Sequence, residues 1–272
     1  MVRKALLGMF ACALVVSVAA ADDKPVSVTV SSVVTSTYMW NGFDKVEAFG
    51  LESGPAVQPK VSVGVKDTGL SVSVGGSFVV NEDSQLHETT YGVNVLRDVS
   101  PVVSVGAGYT YFDNRAKVAG VVVPDGDVHE VWGGVELNSS VGVKPGVAVK
   151  YEKSTTDGVD GFAVVAGTLK YGMPLTGVTL GGAGVDVNWK TGVLYNTGDV
   201  GVRDEVGNVG VLKSGVQAWQ LGVSSDIRTG SVVVSPSVNY QVSVGDVVPV
   251  VVGQSVDRVN EFWASVGVSY GF

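Results

Sequence analysis

The sequence predicts an all-β chain: a single antiparallel transmembrane β-barrel of about twelve strands, with ten or fourteen as the counts one hairpin to either side. Three observations carry this. Val alternates with Ser, Gly and Thr through most of the chain, and side chains on a strand alternate faces with a period of two. The mean hydropathy is +0.32, yet beyond the amino-terminus no apolar run approaches the roughly 20 residues of a membrane helix. High hydropathy without helical spans is what strands with one lipid-facing side produce. Finally, long and short connections alternate along the chain, as in barrels with short turns at one rim and loops at the other.

Taken in order, the first strand is predicted over Ser27–Trp40, followed by a loop of mixed charge and Gly from Asn41 to Pro55. Ala56–Lys66 and Leu70–Val80 form a hairpin around Asp67-Thr68-Gly69, where Asp and Gly tolerate the positive φ that tight turns require. His87–Arg97 and Val102–Asp113 pair across Asp98–Pro101, the second placing Val103, Val105, Ala107, Tyr109 and Tyr111 on one face. Asp127–Asn138 and Val143–Lys153 pair across Ser139–Gly142, and Gly161–Gly172 and Val178–Lys190 across Met173–Gly177. Thr191–Gly215, rich in Gly and Asp, is the longest connection. Val216–Ile227 and Ser231–Val244 pair across Arg228-Thr229-Gly230, and a last loop leads into Glu261–Phe272. Pro145 and Pro236 fall inside strands and point to bulges, because Pro cannot donate to a ladder. An even strand count brings both chain ends to the short-turn rim, and closure removes the edges a Val-rich sheet would expose.

The terminal strand has the clearest alternation. Phe262, Ala264, Val266, Val268, Tyr270 and Phe272 are apolar, while Glu261, Trp263, Ser265, Gly267, Ser269 and Gly271 are mostly small or polar. Ending on an aromatic residue, the strand resembles the carboxy-terminal strand of bacterial outer-membrane barrels. That resemblance implies an assembly signal, with Phe262, Tyr270 and Phe272 read by the outer-membrane assembly machinery. Other aromatics, among them Trp40, Tyr151, Tyr171, Trp189, Trp219 and Tyr240, fall near strand ends, where barrels carry aromatic girdles.

Residues 1–21 read as a secretory signal peptide: Arg3 and Lys4, an apolar core over Ala5–Val18, then Ala19-Ala20-Ala21. The barrel domain is 22–272. The one Cys, Cys12, leaves with the leader, so no disulfide framework is expected. Without Arg3 and Lys4 the basic count is 18 − 2 = 16 against 26 acidic residues, a net charge of 16 − 26 = −10. Phosphate contacts need clustered Lys and Arg, so nucleic acid is excluded as a partner.

Three short motifs follow one another between Val34 and Ser77. A Ser-x-Tyr-x-x-x-Gly pattern is met by Ser36, Tyr38 and Gly42. Pro55, Ala56, Val57 and Gln58 match a Pro-Ala-x-Gln segment, and Gly69, Gly76 and Ser77 match a Gly-led strand ending in Gly-Ser. The chain departs from the pattern at Thr37, Asn41 and Gly75. With these motifs the chain resembles the TorF-like porin family of bacterial outer-membrane barrels, over about a sixth of its length. The resemblance implies a mid-sized barrel of porin type and transfers no catalytic residues.

With Val and aromatic positions toward lipid, the alternate positions line a lumen: Lys60, Lys66, Lys144, Lys150 and Lys170, with Glu88, Glu130, Glu136, Glu152, Asp186 and Glu261. Ionisable groups pointing into lipid at the midplane are costly, which supports this parity. Gly64, Gly106, Gly108, Gly134, Gly146 and Gly267 leave room inside. The expectation is a channel of the bacterial outer membrane for passive diffusion of small polar solutes or ions, with facing Lys and carboxylate rows. The alternative is a closed structural or adhesive barrel acting through its loops. No enzyme is expected: His87 and His129 lie in no nucleophile or metal spacing, and the glycines follow strand alternation, with no phosphate-binding loop. No cofactor or metal is expected, and the acidic loop residues Glu82, Asp83, Asp199, Asp204 and Glu205 read as solvated charge lacking calcium-loop spacing.

Overall fold

The computed structural model describes residues 25–40, 43–44, 54–80, 84–118, 121–123, 127–139, 142–155, 161–180, 183–197, 200–203, 209–212, 215–243 and 260–272. The leader segment 1–21 and the acidic loop residues named above lie outside these.

Twelve strands form one ring: β1 (Val26–Thr35), β2 (Ala56–Val65), β3 (Leu70–Val79), β4 (Ser84–Ser100), β5 (Val103–Val118), β6 (Val128–Leu137), β7 (Val143–Ser154), β8 (Phe162–Leu180), β9 (Ala183–Asn196), β10 (Gly215–Thr229), β11 (Val232–Ser243) and β12 (Glu261–Gly271). Every strand pairs antiparallel with its neighbours in sequence, and β12 closes on β1 in the register Val30↔Tyr270 and Val34↔Val266. No edge is left in the ring, which is how a Val-rich sheet avoids pairing with other chains. Val121–Val123 adds a short flap to β5, and Val200–Arg203 with Val209–Leu212 makes a small hairpin within the β9–β10 connection.

Registers fix the two faces. Val63, Val72, Val93, Tyr109 and Val131 are consecutive ladder partners, and so are Tyr240 and Phe262. Phe78, Tyr91, Tyr109, Tyr151, Trp189, Trp219 and Phe262 are all exposed. The other parity carries the buried side chains, among them Glu88, Glu130, Glu152, Asn196 and Gln241. The fold therefore turns its apolar side chains outward and its polar ones inward.

Tight turns sit at one rim. Among the described residues Asp67 is the positive-φ non-Gly residue at 64°, Gly69 follows at 73°, and the Thr68 hydroxyl donates to the Val65 carbonyl at 2.9 Å. Gly142 and Gly230 also take positive φ in their turns.

Three predicted boundaries are corrected. The first strand stops at Thr35 and does not reach Trp40. The Thr35 hydroxyl donates to the Thr37 carbonyl at 2.8 Å, and a bend carries Tyr38 into the barrel. Met173–Gly177 is no turn: β8 continues to Leu180, and residues 181–182 alone separate it from β9. Pro174, lacking an N–H, interrupts the β8–β9 ladder, which resumes at Thr179↔Gly184. With β9 running to Asn196, Thr191 belongs to a strand, and the long connection starts at 197. The expected bulges at Pro145 and Pro236 are not found: Pro145 pairs with Leu169 and Pro236 with Val266 in unbroken register. Pro145 lies one residue outside the β6–β7 ladder, and the β10–β11 ladder skips 225–226 and 235–236 without a change of register.

Candidate functional site

The inside of the barrel is the candidate site. The predicted lumen residues Lys60, Glu88, Glu130, Glu136, Lys144, Lys150, Glu152, Lys170, Asp186 and Glu261 all share the inward register set, through pairs such as Lys60↔Gly75, Glu152↔Glu130 and Gln241↔Glu261. The structure divides them between two regions.

Toward the long-connection rim the inward side chains are buried. Glu152 is 0 %, Glu88 1 % and Glu130 5 % exposed. Around them Asn114, Asn196, Gln217 and Gln241 are also buried. Tyr38 Oη donates to Glu88 Oε1 at 2.6 Å, and Lys150 Nζ donates to Glu130 Oε2 at 3.1 Å. Burial, and then the Glu88 carboxylate, push the Tyr38 phenol well above its ordinary value. Buried polar groups require partners, and here Tyr38 supplies one from outside the strands.

Toward the short-turn rim the interior opens into a cavity of about 640 Å³. Asp98, Glu136, Lys144 and Lys170 bring charge to its lining, beside Trp132 and Thr168. Lys170 Nζ donates to Glu136 Oε2 at 2.5 Å. The Lys and carboxylate rows expected to face each other across the lumen are thus adjacent, β6 carboxylates pairing with β7 and β8 lysines. Some of the room predicted from glycine is filled by Trp132, whose Nε1 donates to Asn94 Oδ1 at 3.1 Å. A methyl group at Gly108 would run into that indole. At the same rim Arg228 pairs with Asp186 at 3.2 Å and Asp226 at 3.3 Å, and Asp226 also accepts from Ser235 Oγ at 2.6 Å.

Sequence reasoning missed Tyr38, Lys190, Asp226 and Arg228 as inward groups. Lys190 is the ladder partner of Lys170, and Lys170 that of Lys144. Its parity matches that of Asp186, but the predicted strand ends at Lys190, where parity says little. Arg228 was assigned to a turn that begins only after Thr229.

His129 faces outward, its Nδ1 2.6 Å from Tyr109 Oη, and Tyr111 Oη donates to Asp127 Oδ2 at 2.5 Å. Tyr91 and Tyr111 stack with ring centroids 6.3 Å apart. These rings form part of an outward aromatic band. The side chain of Trp40 lies outside the described residues. Tyr270 and Phe272 meet edge to face at 4.4 Å, and Phe272 N donates to the Val28 carbonyl at 2.9 Å, so the terminus is fastened to β1. Among the described residues no group of three or more His, Cys, Asp or Glu is placed to hold a metal ion.

No protein-family model matches the sequence, and no curated protein matches it. Solved structures do. LpxR from Salmonella typhimurium aligns with TM-score 0.53 at 9 % identity, over 89 % of this chain and 99 % of that one. The NanC porin aligns with TM-score 0.50 at 11 % identity, over 89 % and 98 %. At such identities the likeness is one of fold, and the fold is a closed antiparallel β-barrel.

Proposed function

We propose that this chain is a channel of the bacterial outer membrane through which small polar solutes or ions diffuse passively. The observation that carries the reading is the combination of an exposed apolar outer face with a charged inner cavity of about 640 Å³. A bilayer solvates the first, since lipid accepts side chains that water does not. Water and polar solutes fill the second. The likeness in fold to a protein named as a porin is in keeping with it, as is the TorF-like resemblance. In this reading residues 1–21 export the chain, the assembly machinery reads Phe262, Tyr270 and Phe272, and the inward charged residues other than the buried Glu88, Glu130 and Glu152 line the path.

A specific observation favours the alternative, a closed structural or adhesive barrel: the layer of buried polar side chains beneath the long connections. Liposome swelling separates the two. Heat-modifiable, folded protein in liposomes is expected to admit small neutral solutes, with swelling that slows as solute size grows. Folded protein that produces no swelling with the smallest solutes favours the closed barrel.

A further inference from the structure

We propose that the open part of the lumen prefers small anions, and that Lys144, Lys170 and Lys190 are the residues that set this preference. The inference rests on the channel reading above and names the charge of its solute. It opposes the simplest reading of composition, since the chain carries −8 overall.

The ground for it is the way exposure divides the inward charges. The bases Lys60, Lys144, Lys170, Lys190 and Arg228 are exposed, whereas Glu88, Glu130 and Glu152 are buried. Glu136, Asp186, Asp226 and Glu261 are half-buried. In the Lys170–Glu136 pair the lysine side chain is 48 % exposed and the carboxylate 25 %. In the Lys150–Glu130 pair the values are 35 % and 7 %. Among the described residues the exposed inward acid is Asp98, at the short-turn rim, where it already accepts from Ser104 Oγ at 2.5 Å. Solvent entering the barrel therefore meets ammonium groups more than carboxylates, three of which are buried in the wall and four half-buried.

Register concentrates the effect. Lys144↔Lys170 and Lys170↔Lys190 are direct cross-strand partners, making a basic row over β7, β8 and β9. Like charges opposite one another destabilise a sheet. A passing anion relieves that repulsion, and Lys170 is the member of the row with a carboxylate partner among the described residues. Lys60, on β2, stands half a turn of the ring away from β8. A narrow passage with low-dielectric walls focuses such a field, and basic side chains lining a pore select anions.

The test is a reversal potential. Full-length protein in planar bilayers under a KCl gradient is expected to show a chloride-to-potassium permeability ratio above unity. The double variant Lys144→Gln, Lys190→Gln leaves the Lys150–Glu130 and Lys170–Glu136 pairs in place, and heat-modifiable mobility checks that it is folded. Its ratio is expected to fall by about threefold or more, while Lys190→Arg keeps the wild-type ratio. A conducting wild type that prefers potassium overturns the inference and leaves the channel reading standing, as does a ratio the double variant does not move. Folded wild-type protein that passes no current overturns both.

Discussion

Tyr38 donates its phenol to the Glu88 carboxylate at 2.6 Å, tying the bend after β1 to the inner face of β4 across β2 and β3. Both side chains are buried. A hydrogen bond to a charged acceptor contributes more than a neutral one, and a buried carboxylate that loses a donor is costly. Tyr38→Phe is therefore expected to lower stability by about 1–3 kcal/mol, read as a lower midpoint in denaturant titration of the detergent-folded barrel. An unchanged midpoint would show that the bond contributes nothing.

The same pair has a pH signature. Folding raises the Tyr38 phenol above its ordinary value of 10.0. A group raised in this way stabilises fully below its unfolded value, and the contribution fades as pH climbs through the folded one. The stability gap between wild type and Tyr38→Phe should stay constant near neutrality and narrow above about pH 10. A gap that widens with alkali contradicts the assignment.

Lys150 and Glu130 make the next prediction. Glu130 is almost wholly buried, and Lys150 lies 3.1 Å away with a third of its side chain exposed. Lys150→Met strands a buried charge and should cost about 1–3 kcal/mol, less than a fully buried pair because solvent screens the lysine. Adding Glu130→Gln should recover most of the loss. Additive losses in the double mutant would mean that the two residues do not interact.

The two faces should respond oppositely to a new charge. Val93, outward near the middle of β4 between Val72 and Tyr109, should tolerate Arg badly, with about 2–4 kcal/mol lost from a barrel folded in lipid. Thr110→Lys, inward and opposite Glu130, should be accepted. Equal effects at the two sites would argue against a lipid-facing outer wall.

Phe272 is held by its backbone bond to Val28 and its edge contact with Tyr270. Deleting it is expected to reduce the heat-modifiable protein recovered from the outer membrane while leaving the conductance of surviving barrels unchanged. Wild-type membrane levels of the deletion mutant would remove its role in assembly.

Most of the wall was legible in the sequence, because period-two alternation of Val with small residues fixes both strand and face. Turns were legible where glycine or Asp67 takes positive φ. What alternation cannot report is where a strand that still alternates ceases to pair. Ser36 and Tyr38 continue the pattern of β1, yet the Thr35 hydroxyl bends the chain and Tyr38 becomes a lumen residue. Pro174 looked like a turn, although it interrupts a single ladder. Charge parity was readable for Lys170 and Glu136. Their pairing across the intervening β7 was not, since it depends on the register between β6, β7 and β8.

Single-channel recording of the full-length chain tests the central claim most directly. Heat-modifiable protein added to a planar bilayer should give discrete conductance steps, and these should grow in Tyr38→Ala, where one of the bulky buried side chains at the long-connection end is removed. Folded protein that inserts yet gives no steps, in wild type and Tyr38→Ala alike, would contradict the account.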